Sequence, residues 1–234
     1  MRTRTALIAL LLAATASAAH AATTAPDTNS TAPDTDREAL WQQPAATLDD
    51  PLLQRIGSRL AQQKTVARRF EQQKQLKILQ RPLRTSGVML YRAEQGVCWH
   101  TETPVVSTLV LEPAQLRQLG DGDGDGNELV IGAGEQPALF GFTQLFFSLL
   151  AGRVDGAVDQ FELRVDGTAD HWRIGLLPRS ALLQRFIARM QLDGGEQVEQ
   201  VLVTDPDGDR TLIDFSALAS VEPALAQRCF GDGN

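Results

Sequence analysis

Apolar and polar residues alternate along much of the chain after residue 70, as expected for strands that bury one face of a sheet. In QFELRVD, Phe161, Leu163 and Val165 share one face, and in HWRIGLL, Trp172 and Ile174 do the same. The sequence DGTAD between them predicts a hairpin turn. Further β-rich segments are FEQQKQLKIL, SGVMLYRA, GVCWHTE, VVSTLVLE, NELVIGAG, EQVEQVLVTD and DRTLIDF. The pattern predicts at least eight antiparallel strands.

Two other segments have helical spacing. The acids Asp49 and Asp50 with Pro51 predict the start of an amphipathic helix, and Ser180 predicts the cap of a second. In the first helix, the predicted buried face consists of Leu52, Leu53, Ile56, Leu60 and Val66. The predicted solvent-exposed face consists of Arg55, Arg59, Lys64 and Arg68. The second has the apolar stripe Leu182, Leu183, Phe186, Ile187 and Met190.

A third segment, residues 139–150, is apolar over most of its circumference. It contains Phe140, Phe142 and Phe146 and ends near Gly152, a natural helix C-cap. Such a helix is either fully buried or covers an apolar surface that is not always occupied. A one-face-apolar sheet of eight strands must close, pack on another layer or be covered by helices. The fold class predicted is therefore α+β.

The N-terminus carries the pattern of an export signal. Residues 1–21 contain two arginines, a short apolar run and a small-residue cleavage site, which predict a secretory signal peptide. Residues 22–48, rich in Ala, Thr, Pro and Asp, predict a flexible leader, and residues 49–234 a single domain. Loss of Arg2 and Arg4 takes the formal net charge from −7 to −9. An acidic chain without a basic stripe argues against nucleic acid and anionic membranes as partners.

Cys98 and Cys229 are the two cysteines of the chain. In an oxidising compartment they are candidates for a disulfide that would close a long loop and tie down the C-terminus. Two isolated cysteines do not make a disulfide framework, so the paired and the free state both stay open.

The acidic stretch DGDGDGNE raises the question of calcium. Asp121, Asp123 and Asp125 match the first three ligand positions of an EF-hand loop, but position twelve is Gly132 where a bidentate glutamate is needed. Asp-Gly pairs also form turns, because glycine adopts positive φ at little cost. A hairpin loop is the favoured interpretation, and calcium at these aspartates is the alternative.

Candidate catalytic residues are few. After signal removal, His100 and His171 remain, each beside a tryptophan and without a second metal ligand at the spacing of a zinc site. The chain has no nucleophile-elbow motif and no phosphate-binding glycine loop. We therefore expect no catalytic residues, no metal and no cofactor. A hydrolase whose site is assembled from distant positions is the minor alternative.

Residues 70–111, FEQQKQLKILQRPLRTSGVMLYRAEQGVCWHTETPVVSTLVLE, resemble the outer-membrane lipoprotein carrier protein LolA family, in its divergent LolA-like branch. The matching positions are Phe70, Gln73, Lys74, Leu76, Pro82, Leu83, Ser86, Gly87, Trp99, Pro104 and Leu109. A looser likeness extends over most of residues 50–216.

The resemblance implies an incomplete, unclosed antiparallel β-barrel with helices forming a lid over an apolar cavity. It implies a monomeric periplasmic carrier that shuttles acylated cargo to the outer membrane, between an inner-membrane releasing transporter and an outer-membrane acceptor. Lipoprotein, polyene and glycolipid cargo fit it equally. An envelope sensor or assembly factor that binds acyl chains is the second hypothesis. Residues expected to face cargo or lid are Leu90, Trp99, Leu109, Phe140, Phe142, Phe146, Phe161, Leu163, Trp172, Ile174 and Phe186.

The family also has an arginine, in the strand after the glycine, that helps to hold the lid. Counted from Gly87, that position is Ala93, and Arg92 lies one residue earlier. Because a shift of one residue reverses the face of a strand, Arg92 is the lid-holding candidate only if a bulge resets the register.

Overall fold

A computed structural model describes residues 34–119, 129–132, 134, 141, 143–145, 148 and 157–231, with side chains from residue 37. Eleven strands form one unclosed antiparallel sheet, in the order β6-β5-β4-β3-β2-β1-β11-β10-β9-β8-β7. The strands are β1 (Thr65–Gln75), β2 (Leu83–Arg92), β3 (Gly96–Thr103), β4 (Ser107–Leu111), β5 (Gln115–Leu119), β6 (Leu129–Gly132), β7 (Phe161–Gly167), β8 (Trp172–Pro178), β9 (Arg189–Gly194), β10 (Val198–Thr204) and β11 (Arg210–Ala217). The helices are α1 (Asp34–Leu40), α2 (Pro51–Ala61) and α3 (Pro223–Phe230), with a 3₁₀ turn at Leu183–Arg185.

The prediction of an α+β fold with an unclosed antiparallel sheet is confirmed. The chain runs outward from β1 to the edge strand β6, continues at the opposite edge with β7, and returns through β11, which pairs with β1. The predicted hairpin of residues 161–178 is present, with Gly167 opposite Trp172. The described residues contain no helix that is both long and apolar enough to span a membrane.

The two faces of the sheet have different covers. We call the face that carries Phe70, Trp99 and Trp172 the inner face and the other the outer face. The inner-face residues of both halves of the sheet join in one buried apolar cluster, the inner cluster. A flat sheet of eleven strands would be about 50 Å wide, because neighbouring strands lie about 4.8 Å apart. Strongly twisted open sheets rarely exceed about ten strands without curling, splitting or flattening, so we expect a sheet of this width to curl.

Helix α2 packs on the inner face. Asp50 is its N-cap: its side chain accepts hydrogen bonds from the backbone N–H groups of Leu52 and Leu53 at 2.9 and 3.0 Å. The buried side chains of α2 are Leu53, Ile56 and Leu60. The predicted helix start and most of its buried face are confirmed. The assignment of Val66 and Arg68 to this helix is wrong. Both residues belong to β1, where their side chains point to the inner face, like that of Phe70.

The prediction of a flexible leader over residues 22–48 is wrong for its last part. Residues 34–40 form α1, whose Leu40 is fully buried, and Glu38 pairs with Arg189 at 2.6 Å on the outer face. The chain then rounds the edge of the sheet, where Ala46 forms a β-bridge to Leu163 of β7. Residues 34–48 therefore connect the outer face to α2, and the domain begins earlier than predicted.

The helix predicted from Ser180 is also corrected. Only Leu183–Arg185 form a 3₁₀ turn, with the Ser180 hydroxyl accepting from the backbone N–H of Leu183 at 3.2 Å. Met190 lies in β9 instead, where it faces Leu176 of β8 and Val203 of β10. Leu183 and Ile187 still enter the inner cluster.

The outer face of β9 carries a polar pair, a buried glutamine and a half-buried aspartate, with a testable pH dependence. The side-chain amide of Gln191 donates to both carboxylate oxygens of Asp193, at 2.8 and 3.0 Å. Burial raises the pKa of Asp193, an effect that the Gln191 hydrogen bond and the charges of Arg37 and Arg173 reduce. The folded state therefore holds this proton more tightly than the unfolded state, and stability falls as the pH rises through the interval between the two pKa values.

We expect Asp193→Asn to raise the free energy of unfolding at pH 7, because the substitution removes the cost of burying a charge and keeps an oxygen acceptor for Gln191. The advantage should shrink as the pH falls through the folded pKa of Asp193. Urea unfolding between pH 3.5 and 7 measures the difference in unfolding free energy between variant and wild type. Asp159→Asn, the same charge change at an exposed position, is the control. A variant less stable than wild type at pH 7 would mean that the charges of Arg37 and Arg173 outweigh burial.

Candidate functional site

The candidate site is the inner face together with helix α2. Seven of the residues predicted to face cargo or lid lie in or against the inner cluster, and they are Trp99, Leu109, Phe161, Leu163, Trp172, Ile174 and Phe186. They come from strands of both halves of the sheet and from the 3₁₀ turn region. The structure thus brings together most of the predicted apolar residues on one curved surface.

Aromatic contacts fix the centre of this surface. The rings of Phe70 and Trp99 stack with centroids 4.0 Å apart, and Phe215 meets Trp99 edge-on at 6.1 Å. In the second half of the sheet, the indole N–H of Trp172 donates to the carbonyl oxygen of Gly195 at 2.7 Å. A side chain at Gly194 would collide with the Trp172 ring, because its Cβ would lie 2.6 Å from a ring carbon. The absence of a side chain at Gly194 therefore leaves room for the Trp172 ring.

Polar contacts hold the C-terminal end of α2 to two hairpin turns. Arg59 donates to the carbonyl oxygen of Ala169 at 2.7 Å and pairs with Asp170 at 2.9 Å, in the β7–β8 turn. Gln63 donates to the carbonyl oxygen of Glu196 at 2.7 Å, in the β9–β10 turn. We call these three contacts the latch. All three are exposed or half-exposed, so each contributes little stability compared with the buried apolar side chains of α2.

A small cavity opens at one side of the inner cluster. It has a volume of about 140 Å³ and lies between the β2–β3 and β4–β5 turns and the helical residues Gln144 and Ser148. Its walls include Tyr91, Val97 and Leu111, which belong to the inner cluster. Ligand pockets usually have about 300–1,000 Å³. A long-chain ligand could therefore enter this cavity only if its covering elements moved.

Two predicted site residues lie elsewhere. Leu90 packs on the outer face with Cys98, Val110 and Cys229, so its assignment to the cavity is wrong. Arg92 lies on the same outer face as Leu90. The guanidinium carbon of Arg92 is 5.0 Å from the centre of the Phe230 ring of α3. The pairing of β1 with β2 is regular up to Arg92, so no bulge resets the register there. Arg92 therefore holds α3 and not a lid over the inner face.

The sequence interpretation missed two polar residues on the inner face of β1. Arg68 donates to the carbonyl oxygen of Phe215 at 2.8 Å and to the side chain of Gln197. Burial lowers the pKa of Arg68. Gln72 is only 5% exposed. The inward position of Arg68 and Gln72 follows from their alternation with Val66 and Phe70 along β1, but only once the strand is known to start at Thr65.

Other predicted features lie outside the described residues: Phe140, Phe142 and Phe146 of the apolar block, and the aspartates at 121, 123 and 125. Nδ1 of His100 lies 2.8 Å from the Thr108 hydroxyl on the outer face. In the part of the chain that the structure describes, no group of three or more His, Cys, Asp or Glu residues is arranged to hold a metal.

Among solved structures, the chain is similar to the crystal structure of LolA superfamily protein NE2245 from Nitrosomonas europaea. The match has a TM-score of 0.40 and 8% sequence identity and covers 74% of this chain and 96% of that chain. No protein-family model and no curated protein matches the chain.

Proposed function

We propose that this protein is an exported, non-catalytic carrier that binds an acyl chain between the inner face and α2 and shuttles it to the outer membrane. The observation that supports this most is that apolar side chains from strands of both halves of the sheet form one buried cluster with the helix α2, which is about 16 Å long. Among the described residues, the helical residue Leu145 also packs against this cluster. In this proposal, α2 acts as a lid that an acyl chain displaces.

The free energies of burial favour displacement of α2 by an acyl chain. Burial of Leu53, Ile56 and Leu60 stabilises the closed lid by at most about 5–9 kcal/mol, taking about 1.5–3 kcal/mol for each side chain. A sixteen-carbon acyl chain gains about 11 kcal/mol on burial of its methylenes at about 0.8 kcal/mol each. The closed lid protects the apolar face from water, and the acyl chain can still replace it.

Native mass spectrometry of the gently purified protein tests the function, followed by organic extraction of anything bound. We expect a copurified acylated lipid, and the extracted headgroup distinguishes lipoprotein cargo from pigment or glycolipid. A protein that carries no lipid and does not enhance the fluorescence of added diphenylhexatriene, a hydrocarbon probe, would rule out the carrier function.

The latch gives a prediction about affinity. We expect Arg59→Ala to bind diphenylhexatriene about three- to tenfold more tightly than wild type, because the substitution destabilises the closed lid by roughly 1 kcal/mol. A fluorescence titration measures the dissociation constant. Arg55→Ala is the control: it removes the same charge from an exposed position on the same helix. Equal affinity of the two variants would show that the latch does not oppose binding.

A further inference from the structure

Gln72 is a buried polar residue on the apolar inner face. Its side chain points to the same face as Val66 and Phe70, two members of the inner cluster, because all three occupy even positions of β1. Its cross-strand neighbours are Ile213 on β11, which is 1% exposed, and Thr85 on β2. On this face, the Gln72 carboxamide lies next to the apolar Phe70 and Ile213 and to the polar Thr85 and Lys74.

The side-chain oxygen of Gln72 is buried and accepts no hydrogen bond from any described residue. A buried polar group left unpaired costs about 1–3 kcal/mol, and folded proteins rarely retain one without a reason. Gln191 provides a contrast within the same sheet. It is 2% exposed on the outer face, and its amide donates to both oxygens of Asp193. One buried glutamine is thus paired by the protein, and the other is left open toward the inner face.

We propose that the Gln72 carboxamide is the polar anchor of the acyl-binding site and accepts a hydrogen bond from an O–H or N–H group on the ligand. This inference rests on the proposed carrier function and makes it more specific. The favoured cargo is an acyl chain that takes a hydroxyl or amide group into the protein with it, instead of a plain hydrocarbon tail. The ring of Phe70, two residues before Gln72 on the same face, and the Trp99 ring stacked on it would then contact the adjoining methylenes.

The test compares 1-hexadecanol, which has a donor, with hexadecane, which has none, as competitors of diphenylhexatriene. In wild type we expect hexadecanol to compete more strongly, and in Gln72→Leu this preference should fall about five- to tenfold. Methyl palmitate, which only accepts hydrogen bonds, should compete equally with both proteins. Gln191→Leu is the matched control: it removes a buried glutamine from the outer face and should leave the preference unchanged.

Thermal unfolding provides a second, independent readout. Gln72→Leu should be at least as stable as wild type, because it removes an unpaired polar group, whereas Gln191→Leu should be less stable, because it leaves Asp193 without its partner. Gln72→Met, which is also apolar and close in volume, replaces the leucine variant if that variant does not fold.

The outcomes separate the two proposals. An unchanged preference for hexadecanol in Gln72→Leu would overturn the anchor and leave the carrier function standing. Loss of affinity for hexadecane as well would make Gln72 a packing residue, which also overturns the anchor. If wild type binds neither competitor nor diphenylhexatriene, the carrier function itself fails.

Discussion

Replacing both Cys98 and Cys229 with alanine should lower the free energy of unfolding by about 2–5 kcal/mol, the range found when native disulfides are removed. The two residues form a disulfide in the structure, with a sequence separation of 131. A bond across such a long loop restricts the unfolded chain strongly, which is the main source of its stabilisation in the chain-entropy model. For a domain of this size, the midpoint of thermal unfolding should fall by roughly 5–15 °C.

The position of the bond defines what it holds. Both sulfur atoms are buried on the outer face, where α3 packs over β2, β3 and β4. Arg117 adds a hydrogen bond to the carbonyl oxygen of Cys229 at 3.0 Å, and Arg92 stacks on Phe230. These contacts should keep α3 docked when the cysteines are changed. The loss of unfolding free energy is therefore expected to be smaller than the loss from removing a whole core element.

Reduction of wild type with dithiothreitol is the matched comparison for this prediction. Reduced wild type and the double alanine variant should unfold at similar temperatures, both below oxidised wild type. If reduction and substitution both leave the midpoint unchanged, the disulfide adds no stability beyond the packing of α3. Disulfides of this kind occur in oxidising compartments. Export itself stays a prediction from residues 1–21.

The inward face of strands with one buried face was predictable from the sequence, and the inward face of strands with two buried faces was not. In β7 the alternation of Phe161, Leu163 and Val165 against charged neighbours identified both the strand and its inner face. In β2, Val88, Met89, Leu90 and Tyr91 are all buried, because α3 covers the outer face there. Periodicity cannot assign a face to such a run, and this is the reason Leu90 was placed on the wrong side.

Ambiguous spacing explains the misassigned helix. Met190 lies four residues after Phe186, which fits a helical stripe, and two residues before Leu192, which fits a strand. The pairing of β9 with β8 and β10 shows that Met190 belongs to a strand. Helix α3 has only eight residues and packs on a sheet face that is assembled from distant segments, so its own sequence gives only a weak helical signal. Gln72 was missed for a related reason, since its burial depends on which elements cover β1.

The sharpest distinction between a lid and an ordinary core helix comes from a charge placed in the buried face of α2. Ile56 is 1% exposed and packs in the inner cluster. Ile56→Asp should release α2 from the sheet, because an unpaired carboxylate cannot be buried without a cost of several kcal/mol. If α2 is a lid, the sheet stays folded and only the free energy of docking is lost. Ile174 of β8 is equally buried, and Ile174→Asp should instead unfold the whole domain.

Circular dichroism and diphenylhexatriene titration together decide between these outcomes. The Ile56→Asp variant should keep its β-sheet spectrum and bind the probe at least tenfold more tightly than wild type, because the helix no longer competes for the inner face. Gln54→Asp is the control, since it adds the same charge at an exposed position of α2. It should match wild type in both measurements. If Ile56→Asp loses its sheet spectrum as Ile174→Asp does, α2 is an integral part of the core, and a cargo that displaces it would unfold the protein.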